Sequence, residues 1–106
     1  MASALQGRTV LITSGPTREH LDPVRFMTNA SSGRMGFALA RRARALGARV
    51  MVVSGPTALA VPAGVKVFPV TTGLEMHERV MRLRARADVV IGAAAVSDWR
   101  FAAVST

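Results

Sequence analysis

The chain has no cysteine, no tyrosine, a single tryptophan and a single lysine, and aromatic residues make up only 5% of it. Without cysteine there is no disulfide framework, no thiolate nucleophile and no zinc ribbon. The two histidines, His20 and His77, are too few for a metal cage built by protein alone, so any metal has to arrive with a ligand. So few aromatics also make a poor platform for stacking unpaired bases. Apolar runs are broken every few residues, which leaves no stretch near the roughly 20 residues of a membrane span. Residues 1–7 lack the basic start and apolar stretch of a signal peptide, so a cytoplasmic protein is expected. Acidic residues are scarce as well: 6 Asp and Glu stand against 14 Lys and Arg, for a formal charge of +8. That imbalance predicts an anionic partner.

What is present is enough for one fold. Half of the 106 residues are hydrophobic and only 19% are charged, which excludes intrinsic disorder and fits one small domain. Residues 1–7 are expected to be disordered. Two apolar runs, Arg8–Ser14 and Arg49–Ser54, each stop at a Gly-Pro pair and read as buried strands. Met35–Leu46 between them is rich in Ala, Leu and Arg and ends at Gly47, which suits the left-handed close of a helix. Val65–Val70 reads as a third strand. Thr72 with Glu75 forms a capping-box start, and Met76, Val80, Leu83 and Ala87 line one face of a second helix. Asp88–Ala94 reads as a fourth buried strand. Alternating strands and helices predict a Rossmann-like, three-layer α/β fold with a parallel sheet of order 3-2-1-4 and covering helices.

In such a sheet ligands bind beyond the carboxyl ends of the strands where the order reverses, here between strands one and four. Those two ends carry unusual sequence. The first is followed by a long connection from Gly15 to about Ser32, and it closes on Asn29-Ala30-Ser31-Ser32-Gly33-Arg34-Met35-Gly36. This segment reads as an anion cradle. Ser31 and Ser32 supply donors, Gly33 permits close backbone approach, Gly36 permits close helix–sheet packing, and a helix start offers unpaired N–H groups. Arg34 opposes the helix dipole unless an anion compensates. Two capping serines and a solvated arginine are the plainer reading. The second end offers Gly92, Ala93 and Ala94, small enough to admit a flat base or ribose, and Asp98, which either accepts from a nucleoside or pairs with Arg100. Trp99 is read as a packing residue. Arg18, Glu19, Asp22 and Arg25 are mixed in sign, and Arg41, Arg42 and Arg44 read as a solvated helix face. The nearest window to the dinucleotide fingerprint, Ser31-x-Gly33-x-x-Gly36, is displaced from the strand, and Ser54 stands where an acid is expected; no P-loop occurs.

Several segments together resemble a known family. These are Ile12-Thr13-Ser14-Gly15-Pro16-Thr17-Arg18-Glu19, Asp22-Pro23-Val24-Arg25, Asn29 with Ser31–Gly36, Val53-Ser54-Gly55-Pro56, and Ala93-Ala94-Ala95-Val96-Ser97-Asp98-Trp99-Arg100. In order and spacing the chain resembles the phosphopantothenoylcysteine synthetases of coenzyme A biosynthesis from Thr9 to about Arg100. The resemblance implies a ligase that joins 4′-phosphopantothenate to cysteine through an acyl-cytidylate, with CTP (ATP in eukaryotic relatives) and Mg2+. It implies Asn29 as the catalytic residue at the acyl-nucleotide. Ser31, Ser32, Gly33, Arg34, Met35, Gly36, Gly92, Ala93, Ala94 and Asp98 follow as nucleotide-binding residues. It further implies a homodimer, and a flavin-dependent decarboxylase as the usual companion domain. The family continues past the Asp98 segment into a lysine motif and a flap that this sequence does not contain. Residues 1–106 are therefore expected to be a partial, nucleotide-binding synthetase domain, its sheet incomplete on the C-terminal side and inactive alone. Two alternatives stay open: an NAD(P)- or nucleotide-binding Rossmann-like module without ligase chemistry, and a basic nucleic-acid-binding protein.

Overall fold

The computed structural model describes residues 4–20, 26–28 and 32–95. Its main sheet has β1 (Thr9–Ser14) at the centre, flanked by β4 (Arg49–Ser54) and β6 (Val89–Gly92), with β5 (Val65–Pro69) beyond β4. All three pairings are parallel. The order β5-β4-β1-β6 is the expected 3-2-1-4 order of the four apolar runs, and the direction in which successive strands are added reverses between β1 and β6. Two short strands, β2 (Arg18–His20) and β3 (Phe26–Thr28), form a separate antiparallel pair inside the long first connection.

Burial on both faces of a parallel sheet explains the unbroken apolar character of its central strands. The even-numbered residues Val10, Ile12, Val50 and Val52 pack against Phe37, Ala40 and Ala43 of α1 (Arg34–Ala45). The odd-numbered Leu11, Met51 and Val53 pack against Met76 and Leu83 of α2 (Gly73–Leu83). The two helices thus cover opposite faces of the sheet. Phe37 is fully buried, and its truncation to alanine would remove about 3–5 kcal/mol.

Helix boundaries follow local chemistry. α1 begins one residue earlier than the expected Met35 and is led by Gly33, in the left-handed region at φ 83. Its end is closed by Gly47 at φ 95, as a helix-terminating glycine should be. α2 starts with a complete capping box: Glu75 N–H donates to Thr72 Oγ1 at 3.1 Å, and Thr72 N–H donates to Glu75 Oε1 at 2.9 Å. A short 3-10 turn, Arg84–Arg86, carries the chain from α2 to β6.

Two expectations need correction. β6 is not a buried strand: Val89 is 40% and Val90 51% exposed, because among the described residues β6 pairs only with β1. Nor does the expected disorder of residues 1–7 extend over 4–7. Leu5 N–H donates to Leu46 O at 2.9 Å, and Leu5 packs on the α1 side of the core. No helix among the described residues is long and apolar enough to cross a membrane.

Candidate functional site

The carboxyl end of β1 is where the sequence predicted a site, and there the chain draws together three backbone segments at glycines. Gly15 takes φ 78 directly after β1; a Cβ on it would lie 3.3 Å from Gly55 O. A Cβ on Gly33 would lie 3.3 Å from Gly15 Cα, and one on Gly36 would fall on Ser14 Oγ and Cβ. A Cβ on Gly55 would fall on the Pro16 carbonyl. Helix α1 therefore rests its first turn directly on the end of β1, a closeness that only glycine allows. Ser14 is fully buried there and donates from Oγ to Gly33 O at 3.1 Å, while Gly55 N–H donates to Ser14 O at 2.9 Å.

The helix start itself is open to an anion. Gly33, at the cap position, brings no side-chain cap of its own, and no acidic residue lies in the first turn. Helix geometry leaves the N–H groups of Met35 and Gly36 without partners inside the helix and places the positive end of the dipole beside them. Arg34 and Met35 are exposed, and among the described residues no carboxylate pairs with Arg34. Ser32 makes only a weak capping contact, the plainer of its two readings. Its Oγ accepts from Arg34 N–H at a long 3.3 Å, and its carbonyl accepts from Thr57 Oγ1 at 2.8 Å. Thr57 ties the cradle to the end of β4, beside an apolar cavity of about 400 Å3 lined by Phe37, Gly55, Pro56 and Leu59 among others.

The second loop is laced to the first across the end of β1. Ala93 N–H donates to Thr13 O at 3.1 Å and Ala94 N–H to Thr13 Oγ1 at 3.3 Å. Ala95 N–H donates to Gly15 O at 3.0 Å and Thr17 N–H to Ala95 O at 3.2 Å. Gly92 is exposed, and the nearest atom to a Cβ on it would be Thr13 Oγ1 at 3.9 Å, so open space lies over that backbone. Because Thr13 engages the Ala93 and Ala94 amides, this segment offers a ligand room and carbonyls in place of those two donors.

Ser32, Gly33, Arg34, Met35 and Gly36 thus sit at one side of the β1 end, and Gly92, Ala93 and Ala94 at the other. Asn29, Ser31 and Asp98 lie outside the described residues. Sequence reasoning missed Ser14, Thr13 and Thr57, although the repeated Ser-Gly-Pro-Thr of residues 14–17 and 54–57 was a signal for the two strand ends that meet. It also missed Glu19. This residue is buried, its Oε2 accepts from Gly73 N–H at 3.0 Å, and the neighbouring Arg18 N–H donates to Thr71 O at 2.7 Å. Glu19 so fastens the long connection to the positive start of α2.

The family described as the DNA/pantothenate metabolism flavoprotein C-terminal domain matches residues 5–106. The chain belongs to that family. Among its relatives, the coenzyme A biosynthesis bifunctional protein CoaBC of Vibrio cholerae is 56% identical over 96 residues, which is 91% of this chain and 24% of that protein. A crystal structure of the C-terminal domain of CoaBC superposes with a TM-score of 0.91 at 53% identity, covering 97% of this chain and 53% of that one. Cab2, solved as a variant in complex with phosphopantothenate-cysteine, shares the fold at a TM-score of 0.78 and 20% identity. The chain spans about a quarter of the length of the CoaBC protein it matches.

Proposed function

We propose that this flavoprotein C-terminal family chain is the nucleotide-binding part of a phosphopantothenate–cysteine ligase. The observation that carries the reading is the coupling of two loops at the end of β1. One is a glycine-seated helix start with Arg34; the other is a small-residue segment laced to Thr13 and Gly15. Triphosphate and base can be held by the two sides at once. Membership in a family whose members include CoaBC, a coenzyme A biosynthesis protein, supplies the substrate class.

In this reading the 4′-phosphopantothenate carboxylate attacks the α-phosphate of CTP and releases pyrophosphate, forming the acyl-cytidylate. The cysteine amine then attacks the acyl carbon, the amide bond forms and CMP leaves. The helix start and Arg34 hold the phosphates, and the room over Gly92 accepts the ribose or base. Asn29 is proposed to donate to the acyl oxygen, where negative charge grows in the transition state, with Ser31 at the phosphates and Asp98 on the base. Among the described residues no three His, Cys, Asp or Glu converge on one point. Mg2+ is assigned to the triphosphate it accompanies, and no step is routed through protein ligands. A homodimer, and a flavin-dependent decarboxylase companion of the kind the bifunctional relatives' name suggests, belong to the same proposal.

Calorimetry tests it. CTP with Mg2+ should bind this chain, and Arg34→Ala should weaken that binding by about tenfold, the worth of one charge-assisted phosphate contact. NADPH binding in the absence of CTP binding would overturn the reading.

A further inference from the structure

The larger cavity lies at the opposite end of the sheet from the nucleotide cradle. It encloses about 680 Å3 and is lined at the strand starts by Thr9, Arg49 and Lys66, with Arg44 from the end of α1 and Arg86 from the turn after α2. Four cations line one concavity, and none of its described lining residues is acidic. The acid closest in sequence to this end, Asp88, is already engaged: Oδ2 accepts from Thr9 N–H at 2.8 Å and Oδ1 lies 3.9 Å from Arg8.

Two of the cations are also held in place. Gly64, left-handed at φ 76, leaves the room that Arg44 occupies, since a Cβ there would meet Arg44 Nε at 2.6 Å. Lys66 Nζ sits 5.4 Å from the centroid of the Phe68 ring. Gathering like charges around one hollow costs the fold Coulomb energy that no described carboxylate offsets. The volume falls within the range of about 300–1,000 Å3 usual for small-molecule sites. No aromatic residue is among the described residues that line the hollow to stack a base, and its cations surround a concavity instead of forming a stripe along the surface.

We infer that this groove binds a small anion bearing at least two phosphate groups, at a site separate from the nucleotide cradle. A diphosphate or triphosphate engages several of the cations at once, which a single orthophosphate cannot do.

Because Lys66 is the only lysine in the sequence, acylation of its amine by succinimidyl acetate, followed by mass spectrometry, reads the groove directly in the unaltered chain. Inorganic tripolyphosphate should slow Lys66 acylation severalfold, at concentrations well below those at which orthophosphate or sulfate of equal ionic strength does so. Arg34→Ala should leave this protection unchanged. An Arg49→Ala and Arg86→Ala double variant should raise the half-protecting concentration by about tenfold or more. The wild-type comparison decides alone if the double variant does not fold. Absence of protection, protection equal to that by orthophosphate, or loss of protection in Arg34→Ala would overturn the inference. So would a single-stranded oligonucleotide that protects at lower phosphate concentration, since the groove would then serve nucleic acid.

Discussion

Replacing Gly36 with alanine should destabilise this protein, although the same change in an ordinary exposed helix stabilises it by about 1 kcal/mol. The added Cβ would fall on Ser14 Oγ and Cβ and lie 3.1 Å from Ser14 Cα. Ser14 has nowhere to move: it is fully buried at the end of the central strand, and its Oγ donates to Gly33 O. Prising helix and strand apart costs about 1–3 kcal/mol of overpacking. Loss of the buried Ser14–Gly33 hydrogen bond adds about 1 kcal/mol. Set against the helix gain, the net loss is about 1–3 kcal/mol, which for a chain of this size lowers Tm by about 5–20 °C. Thermal unfolding followed by circular dichroism measures it. Gly92→Ala is the matched control, because its Cβ would meet nothing nearer than 3.9 Å and should change stability by less than about 0.5 kcal/mol. A Tm for Gly36→Ala equal to or above that of the wild type would refute the packing argument.

Three further substitutions probe the supports around the site. Thr72→Ala removes the acceptor for Glu75 N–H and should cost about 1 kcal/mol in urea unfolding, with no change in slope. Glu19→Gln keeps the shape but removes the charge at the start of α2. A loss of about 0.5–1 kcal/mol is expected, and it should shrink in high salt, whereas a salt-independent loss would point to packing alone. Thr13→Val takes away the acceptor for Ala94 N–H, so that amide should exchange about fivefold faster while the amide of Val10 is unaffected.

The sheet order was legible because two of the four apolar runs stop at Gly-Pro and helical segments separate the first run from the second and the third from the fourth, a pattern with few parallel solutions. The capping box at Thr72 was legible for a related reason: its chemistry is local, three residues apart. The pairing of Arg18–His20 with Phe26–Thr28 was not, since neither stretch alternates apolar with polar residues over any length. Glu19 looked like one of several mixed charges on a loop; only the tertiary fold brings Gly73 N–H to its carboxylate, 54 residues away. Gly36 was assigned close packing from its place in the motif, but that its partner is Ser14 is settled by the angle at which α1 meets β1. How Ser32 sits was not legible: the left-handed Gly33, not the serine, occupies the cap position, so that Ser32 Oγ reaches Arg34 N–H only at 3.3 Å and its carbonyl accepts from Thr57. The exposure of Val89 and Val90 was legible only in part: an exposed edge on this strand was expected, but the apolar run alone reads as buried, since it reports what a strand is made of and not how many neighbours it has.

The central claim is that both loops at the end of β1 hold one nucleotide. Titration of the isotopically labelled chain with CTP and Mg2+, followed through its backbone amide resonances, tests this most directly. The amides of 32–36 and of 92–94 should shift together with one common saturation point, and any shift at the groove at the strand starts should follow a separate saturation curve. Shifts confined to one of the two loops, or centred elsewhere on the sheet, would contradict the account.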